Sequence, residues 1–344
     1  MCALVDEIRE QPAVLERMLG QQEAIREIAR HVRRAGVQYV MVAARGTSDN
    51  AGQYGKYVLG AANGLPVALA APSLYTLYES PPRLDGALVL GISQSGASPD
   101  ICAVIEDARR QGAPTVVLTN APDSPLARTA EHVVDLGAGP EKSVAATKTY
   151  TAELLALALL SAHLADDAAR LEEARAVPEA VARVLDLGDE VARRAERYRY
   201  MPDCVVVGRG YNYATALEIA LKIKELTYVG ANPYSAADFR HGPIAVVGRG
   251  FPVLLVAPQG RAYGDVAALL GELCERQAET IVLSDQEEAL AGACTPLRLP
   301  GGVPEWLSPI VAVVPGQLLA YHLALAKGLD PERPRGLHKV TETR

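Results

Sequence analysis

Two patterns of apolar positions alternate along the chain. Short, nearly all-apolar runs rich in Val, Ile and Leu recur as YVMVA from Tyr39, ALVLGI from Ala87, TVVLT from Thr115, CVVVG from Cys204, PVLLV from Pro252 and TIVLS from Thr280. Runs that are apolar at every position, not at alternate ones, suit strands covered on both faces. Between them lie stretches with helical amphipathic spacing, such as Ser98–Gly112 and Ala214–Tyr228. Strands alternating with helices predict an α/β fold of doubly wound parallel sheets. In such sheets ligands sit beyond the carboxyl ends of the strands, so the turns after the strands are where chemistry is expected.

The pattern also repeats. The turn around Gly46 matches that around Gly210, and Gly86 and Gly96 match Gly250 and Gly260, each at an offset of 164. PTVVLTN from Pro114 matches ETIVLSD from Glu279 at 165, and LLALALLSAHL from Leu154 parallels LLAYHLALAKG from Leu318 at 164. Four segments at one near-constant offset predict two doubly wound subdomains related by internal duplication. The expected organisation is an N-terminal helical segment at 1–35, a first sheet domain at 36–175, a second at 190–328 and a C-terminal tail at 329–344. The Arg-rich helical stretch Ala168–Arg199 is expected to link the halves.

The copies differ where chemistry would sit. After its second strand the first half has Ser93-Gln94-Ser95-Gly96-Ala97-Ser98, whereas the second has Ala257-Pro258-Gln259-Gly260. Conversely, Glu218 and Lys222 of the second half stand where the first has Tyr54 and Val58, and Glu225 follows them. The first half thus reads as an anion-binding copy and the second as a source of titratable groups, with one shared site the economical expectation. Three hydroxyls, an amide and the free N–H groups of a helix start suit a phosphate dianion; capping of that helix by Ser98 fits the same spacing. Thr47, after the first strand, adds a second hydroxyl-bearing turn. Val144, Ala145 and Ala146 lie in a small-residue loop that fits either close approach to a ligand or a helix start capped by its threonines. Lys222 and Glu225 are three apart on a helix, with Glu218 one turn earlier on the same face. Such a group suits acid–base work beside a carbonyl, or a solvated surface pair. His241 lies in the turn-like DFRHGP, and Lys339 lies in the tail, by default a frayed end.

Charge and composition narrow the partners. The chain has 344 residues, 49% of them hydrophobic, and a net charge of −7 that argues against nucleic acid. Five scattered cysteines without a C-x-x-C pair read as reduced, cytoplasmic usage. The N-terminus carries acids early and has no apolar signal-peptide core. The most apolar stretch, near Leu154–Leu164, is broken by Ser161 and His163 and is too short for a bilayer, so no membrane partner is expected. The histidines besides His241 show no paired ligand spacing along the chain, so no metal is expected.

These segments together resemble the sugar isomerase (SIS) family, in the branch of the isomerase domain of glucosamine-6-phosphate synthase. RGTSDNAG, GISQSGASPD, VAATKTYTAELL, ALEIALKIKELTYVGANPYSAADFRHGP, Ser308–Leu325 and RPRGLHKVTET occur in the family's order over nearly the whole chain. The resemblance implies that Ser93, Gln94, Ser95 and Ser98 hold a sugar phosphate with Thr47 nearby, and that Val144, Ala145 and Ala146 lie along the sugar. It makes Glu225 the base that moves a proton between C1 and C2, with Lys222 in support. It assigns His241 to ring opening from the neighbouring subunit, hence a homodimer with composite sites, and Lys339 to closure over the open-chain sugar. No cofactor is implied.

Two departures bear on the reaction. Ala146 stands where the synthase has serine. Cys2 is followed by Ala3, not the glycine that follows the nucleophile of a glutaminase domain, and only about forty residues precede the first strand. The EKSVAATKT loop and KVTET tail resemble the stand-alone deaminases of the family. The implied reaction is glucosamine 6-phosphate plus water to fructose 6-phosphate plus ammonia. A synthase-like isomerase, a fructosamine-phosphate deglycase, a galactosamine-6-phosphate deaminase or a non-catalytic sugar-phosphate regulator are the alternatives.

Overall fold

The computed structural model describes residues 2–337 and Lys339. The chain forms two compact units. One, here the first-sheet unit, comprises Ala13–Glu141, Lys148–Ala176 and Lys339; the second-sheet unit comprises the residues up to Pro12, Lys142–Thr147 and Val177–Leu337.

The first-sheet unit is built on strands β1 (Tyr39–Ala43), β2 (Val67–Leu69), β3 (Ala87–Ile92), β4 (Thr115–Thr119) and β5 (His132–Asp135), all parallel, in the order β2-β1-β3-β4-β5. The second-sheet unit has β6 (Asp203–Gly208), β7 (Gly230–Ser235), β8 (Pro252–Val256), β9 (Glu279–Ser284) and β10 (Thr295–Arg298) in the order β7-β6-β8-β9-β10. The two orders are the same topology, and the register repeats with it. Met41 pairs with Val89 in the first sheet, and Val205, 164 residues on from Met41, pairs with Val253 in the second. The α/β, doubly wound, duplicated fold expected from the apolar pattern is the fold observed. β3 and β4 are buried along their whole length, which is why they read as unbroken apolar runs.

Each sheet packs a central helix with almost no solvent face. In the first-sheet unit this is Lys148–Ala165, buried from Lys148 to His163 against helices Thr47–Asn63 and Gln22–Arg34. Its counterpart is Ser308–Ala326, enclosed by helices Asn212–Thr227, Val177–Leu185, Gly188–Ala195 and Ala3–Arg9. A helix surrounded on all sides is apolar all round. This corrects the sequence reading that singled out Leu154–Leu164 as most apolar: among the described residues, one helix, Ser308–Ala326, is long and apolar enough to cross a membrane, and most of it is buried inside the fold. Of the expected linking stretch, helix Ala168–Ala174 belongs to the first-sheet unit and helices Val177–Leu185 and Gly188–Ala195 to the second.

Candidate active site

In the first-sheet unit the strand order reverses between β1 and β3, and the turns after these two strands flank the crevice where doubly wound sheets bind ligands. Both turns start helices, Thr47–Asn63 and Pro99–Arg110. Thr47 opens the first of these, half-buried. In the second turn Ser93 Oγ accepts the Gly96 amide at 3.2 Å and Ser95 Oγ accepts the Ala97 amide at 3.3 Å, folding the loop back on itself. Gly96 makes the turn with φ +59°, and a β-carbon there would lie 2.0 Å from Ser124 Oγ, so no other residue fits. Ser98 occupies the N-cap position but makes no side-chain capping bond, so capping does not explain its hydroxyl. Pro99 follows at the first helical position. Together the two turns bring two helix starts and several hydroxyl-bearing residues to one crevice, an arrangement that attracts anions.

Two residues that stand in quoted motifs of the sequence but were given no role there join this loop. Arg45, in the turn after β1, places Nε 2.7 Å from Asp100, a buried carboxylate in the first turn of the loop's helix. Its signal was a lone cation in a strand-to-helix turn. Glu141 has a wholly buried side chain that accepts Gln94 Nε2 at 2.5 Å and the Thr149 amide at 3.3 Å, and lies 3.5 Å from Lys339 Nζ. One carboxylate thus ties Gln94 of the serine loop to the tail lysine. The tail neighbours of Lys339, residues 338 and 340–344, lie outside the described residues.

The second-sheet unit carries the titratable group. Helix Asn212–Thr227 follows β6 and buries both Glu218 and Lys222. Lys222 Nζ lies 2.6 Å from Glu225 Oε2 and 3.4 Å from Glu218 Oε1. The side chains of Glu218 and Lys222 are 0% and 1% exposed, so this is no solvated surface pair. Glu225, 24% exposed, is the carboxylate that reaches solvent. Burial pushes the Lys222 ammonium towards neutrality, but Glu218 and Glu225 outweigh it, and its pKa stands above the ordinary lysine value. The lysine is a fixed cation at neutral pH.

His241 caps the short helix Ala236–Arg240 and is exposed, outside this ion-paired cluster. Arg240 holds the turn through contacts of 2.6 Å to Asp265 and 2.9 Å to Glu272. Val144, Ala145 and Ala146 belong to the loop Lys142–Thr147, whose start is held by Glu7, a partner of the Lys142 and Ser143 amides. Ala145 is buried, while Val144 and Ala146 are half-buried.

The second copy of the serine loop is filled by the protein itself. Arg261 and Ala262 donate their amides to Glu305 at 2.8 and 2.9 Å, and a β-carbon on Gly260 would meet the same side chain at 2.3 Å. An internal carboxylate takes the anion position at this helix start, in line with the loss of hydroxyls there.

The SIS domain family model matches residues 37–162 and again 202–327. Glutamine–fructose-6-phosphate aminotransferase (isomerizing) of Thermococcus kodakarensis is 37% identical over 98% of this chain. The chain spans 57% of that relative's length. Among solved structures, the C-terminal domain of glucosamine-fructose-6-phosphate aminotransferase from Francisella tularensis superposes with a TM-score of 0.88 at 27% identity, covering 96% of this chain and 98% of that one. Glucosamine-6-phosphate deaminase of Thermotoga maritima shares the fold, with a TM-score of 0.76 at 21% identity over 96% of this chain and 99% of its own. With two sheets of one topology and register, each matched by the family model, the chain belongs to the sugar isomerase (SIS) domain family and carries two copies of the domain.

Proposed function

We propose that the protein is an amino-sugar-phosphate deaminase and isomerase converting glucosamine 6-phosphate and water into fructose 6-phosphate and ammonia. The observation that carries this reading is the buried Glu218–Lys222–Glu225 cluster, in which one carboxylate alone reaches solvent. Aldose–ketose conversion needs a single base that takes a proton from one carbon and returns it to its neighbour, and Glu225 fits that role. In the open-chain sugar the aldehyde at C1 acidifies the proton on C2. Glu225 takes it, leaving an enolate at C1 that becomes the enol as O1 takes up a proton from solvent, with the amine still on C2. Returning the carbon-bound proton to C1 as the amine nitrogen gives one up to solvent yields an imine at C2, and water converts that to the ketone and ammonia. Ser93, Gln94, Ser95, Ser98 and Thr47 hold the phosphate, and Val144, Ala145 and Ala146 run along the sugar. His241 assists ring opening, Lys222 supports Glu225 as its ion-pair partner and Lys339 closes on the open chain. The working form is a cytoplasmic homodimer in which His241 serves the neighbour's sugar.

The 37% identity to an isomerizing aminotransferase favours a second reading, the isomerase step of amino-sugar synthesis. Ammonia release measured across a panel of amino-sugar phosphates separates the two. Glucosamine 6-phosphate should release ammonia, and Glu225→Gln should lower kcat by ~100-fold or more with little change in binding. Exchange of the C2 proton with deuterated solvent should vanish in the same variant. Exchange at the wild-type rate would remove Glu225 from the mechanism, and absence of ammonia from every substrate would remove the deaminase.

A further inference from the structure

We propose that the first-sheet unit carries a divalent transition-metal site formed by His31, Glu131 and His132, away from the proposed sugar-phosphate machinery. One ligand atom from each residue lies within 4.8 Å of the other two. His31 Nε2 is 3.3 Å from Glu131 Oε1. Two ligands about 2.0–2.2 Å from one tetrahedral ion stand roughly 3.3–3.5 Å apart, so this edge already has the spacing a bound ion requires. The rings of His31 and His132 meet edge to face with centroids 4.6 Å apart.

An ion pair alone accounts for His31 and Glu131 but not for His132. Its Nε2 is buried and has no hydrogen-bond partner, although a sequestered imidazole nitrogen normally finds one. The second oxygen of Glu131 accepts Arg109 Nη1 at 3.2 Å, which orients the carboxylate and also weakens its attraction for a cation. Two imidazoles and one carboxylate favour zinc, nickel or cobalt over calcium or magnesium.

The placement says what the ion would do. His31 lies in the last turn of helix Gln22–Arg34, while Glu131 and His132 stand at the start of β5, the edge strand of its sheet. A bound ion would clip that helix to the sheet edge, stabilising the folded state by binding it and not the unfolded chain.

The test is calorimetric titration of the full chain with Zn²⁺ and, separately, Ni²⁺. It is done in a Cys274→Ser/Cys294→Ser background, because those two exposed thiols compete for soft ions. One equivalent should bind, and the ion should raise the melting temperature. His31→Ala, at an exposed position and safe for folding, should weaken binding at least tenfold and abolish the thermal shift. Glu131→Gln, which keeps the shape, should weaken binding less. No binding up to millimolar metal would overturn the proposal, as would an unchanged affinity in His31→Ala.

Discussion

Burying an ammonium beside two carboxylates leaves the cluster sensitive to removal of any one member, because the remaining charges lose their partner in a place water cannot reach. Lys222→Met should therefore destabilise the protein by about 3–5 kcal/mol, the fully buried Glu218 losing its ion pair with Lys222. Urea unfolding of the two proteins would measure this, and equal midpoints would show that Glu218 takes up a proton instead. The serine loop lies at the other extreme, with no buried charge of its own. Ser95→Ala should raise KM for a phosphorylated sugar by the loss of a hydrogen bond to a charged group, about 1–3 kcal/mol, with kcat little changed. An unaltered KM would take the phosphate away from Ser95. Glu305 gives the contrast at the same scale: it already supplies the anion that the second copy of this loop would otherwise attract.

Between elements, helix Ser308–Ala326 packs closely against the helix bearing Glu218, Lys222 and Glu225. A β-carbon on Gly316 would lie 2.3 Å from Ile219 Cγ1, and Ile219 is the residue after Glu218. Gly316→Ala should cost about 1–3 kcal/mol through overpacking. Combining it with Ile219→Ala should recover part of that loss, a coupling that a double-mutant cycle in thermal or urea unfolding would read. Strict additivity would mean that the helices separate instead of colliding. Helix-scale features were legible in outline: the amphipathic run Ala214–Tyr228 is the helix Asn212–Thr227, and the apolar stretch near Leu154 lies in the helix Lys148–Ala165. Burial on the inner face was not legible, since the same charge spacing describes a solvated helix surface.

For the whole molecule, the proposed dimer makes a prediction that single-chain variants do not. If His241 serves the partner's sugar, mixing inactive His241→Ala with inactive Glu225→Gln subunits should restore activity. Each mixed dimer would then carry one site with both defects and one with neither. Light scattering should give twice the chain mass before mixing. No recovered activity after verified subunit exchange would overturn the shared site.

The duplication and the parallel sheets follow from the sequence by itself, because a strand buried on both faces must be apolar throughout and a doubled pattern must fold twice in one topology; the order of the strands came from the tertiary structure. The serine loop and the Glu–Lys–Glu helix were legible for a related reason: each contrasts with a repeat copy that lacks it. Contacts between residues far apart along the chain were decided by the tertiary structure alone. Glu141 joins Gln94 to Lys339, Arg45 meets Asp100, Glu305 fills the second loop, and His31 comes within reach of Glu131 and His132. Periodicity reports which face a residue presents, and local chemistry reports what it could do. Neither reports which distant side chain will stand opposite it once the sheets have closed, and the charge state of a group such as Lys222 depends on that neighbour.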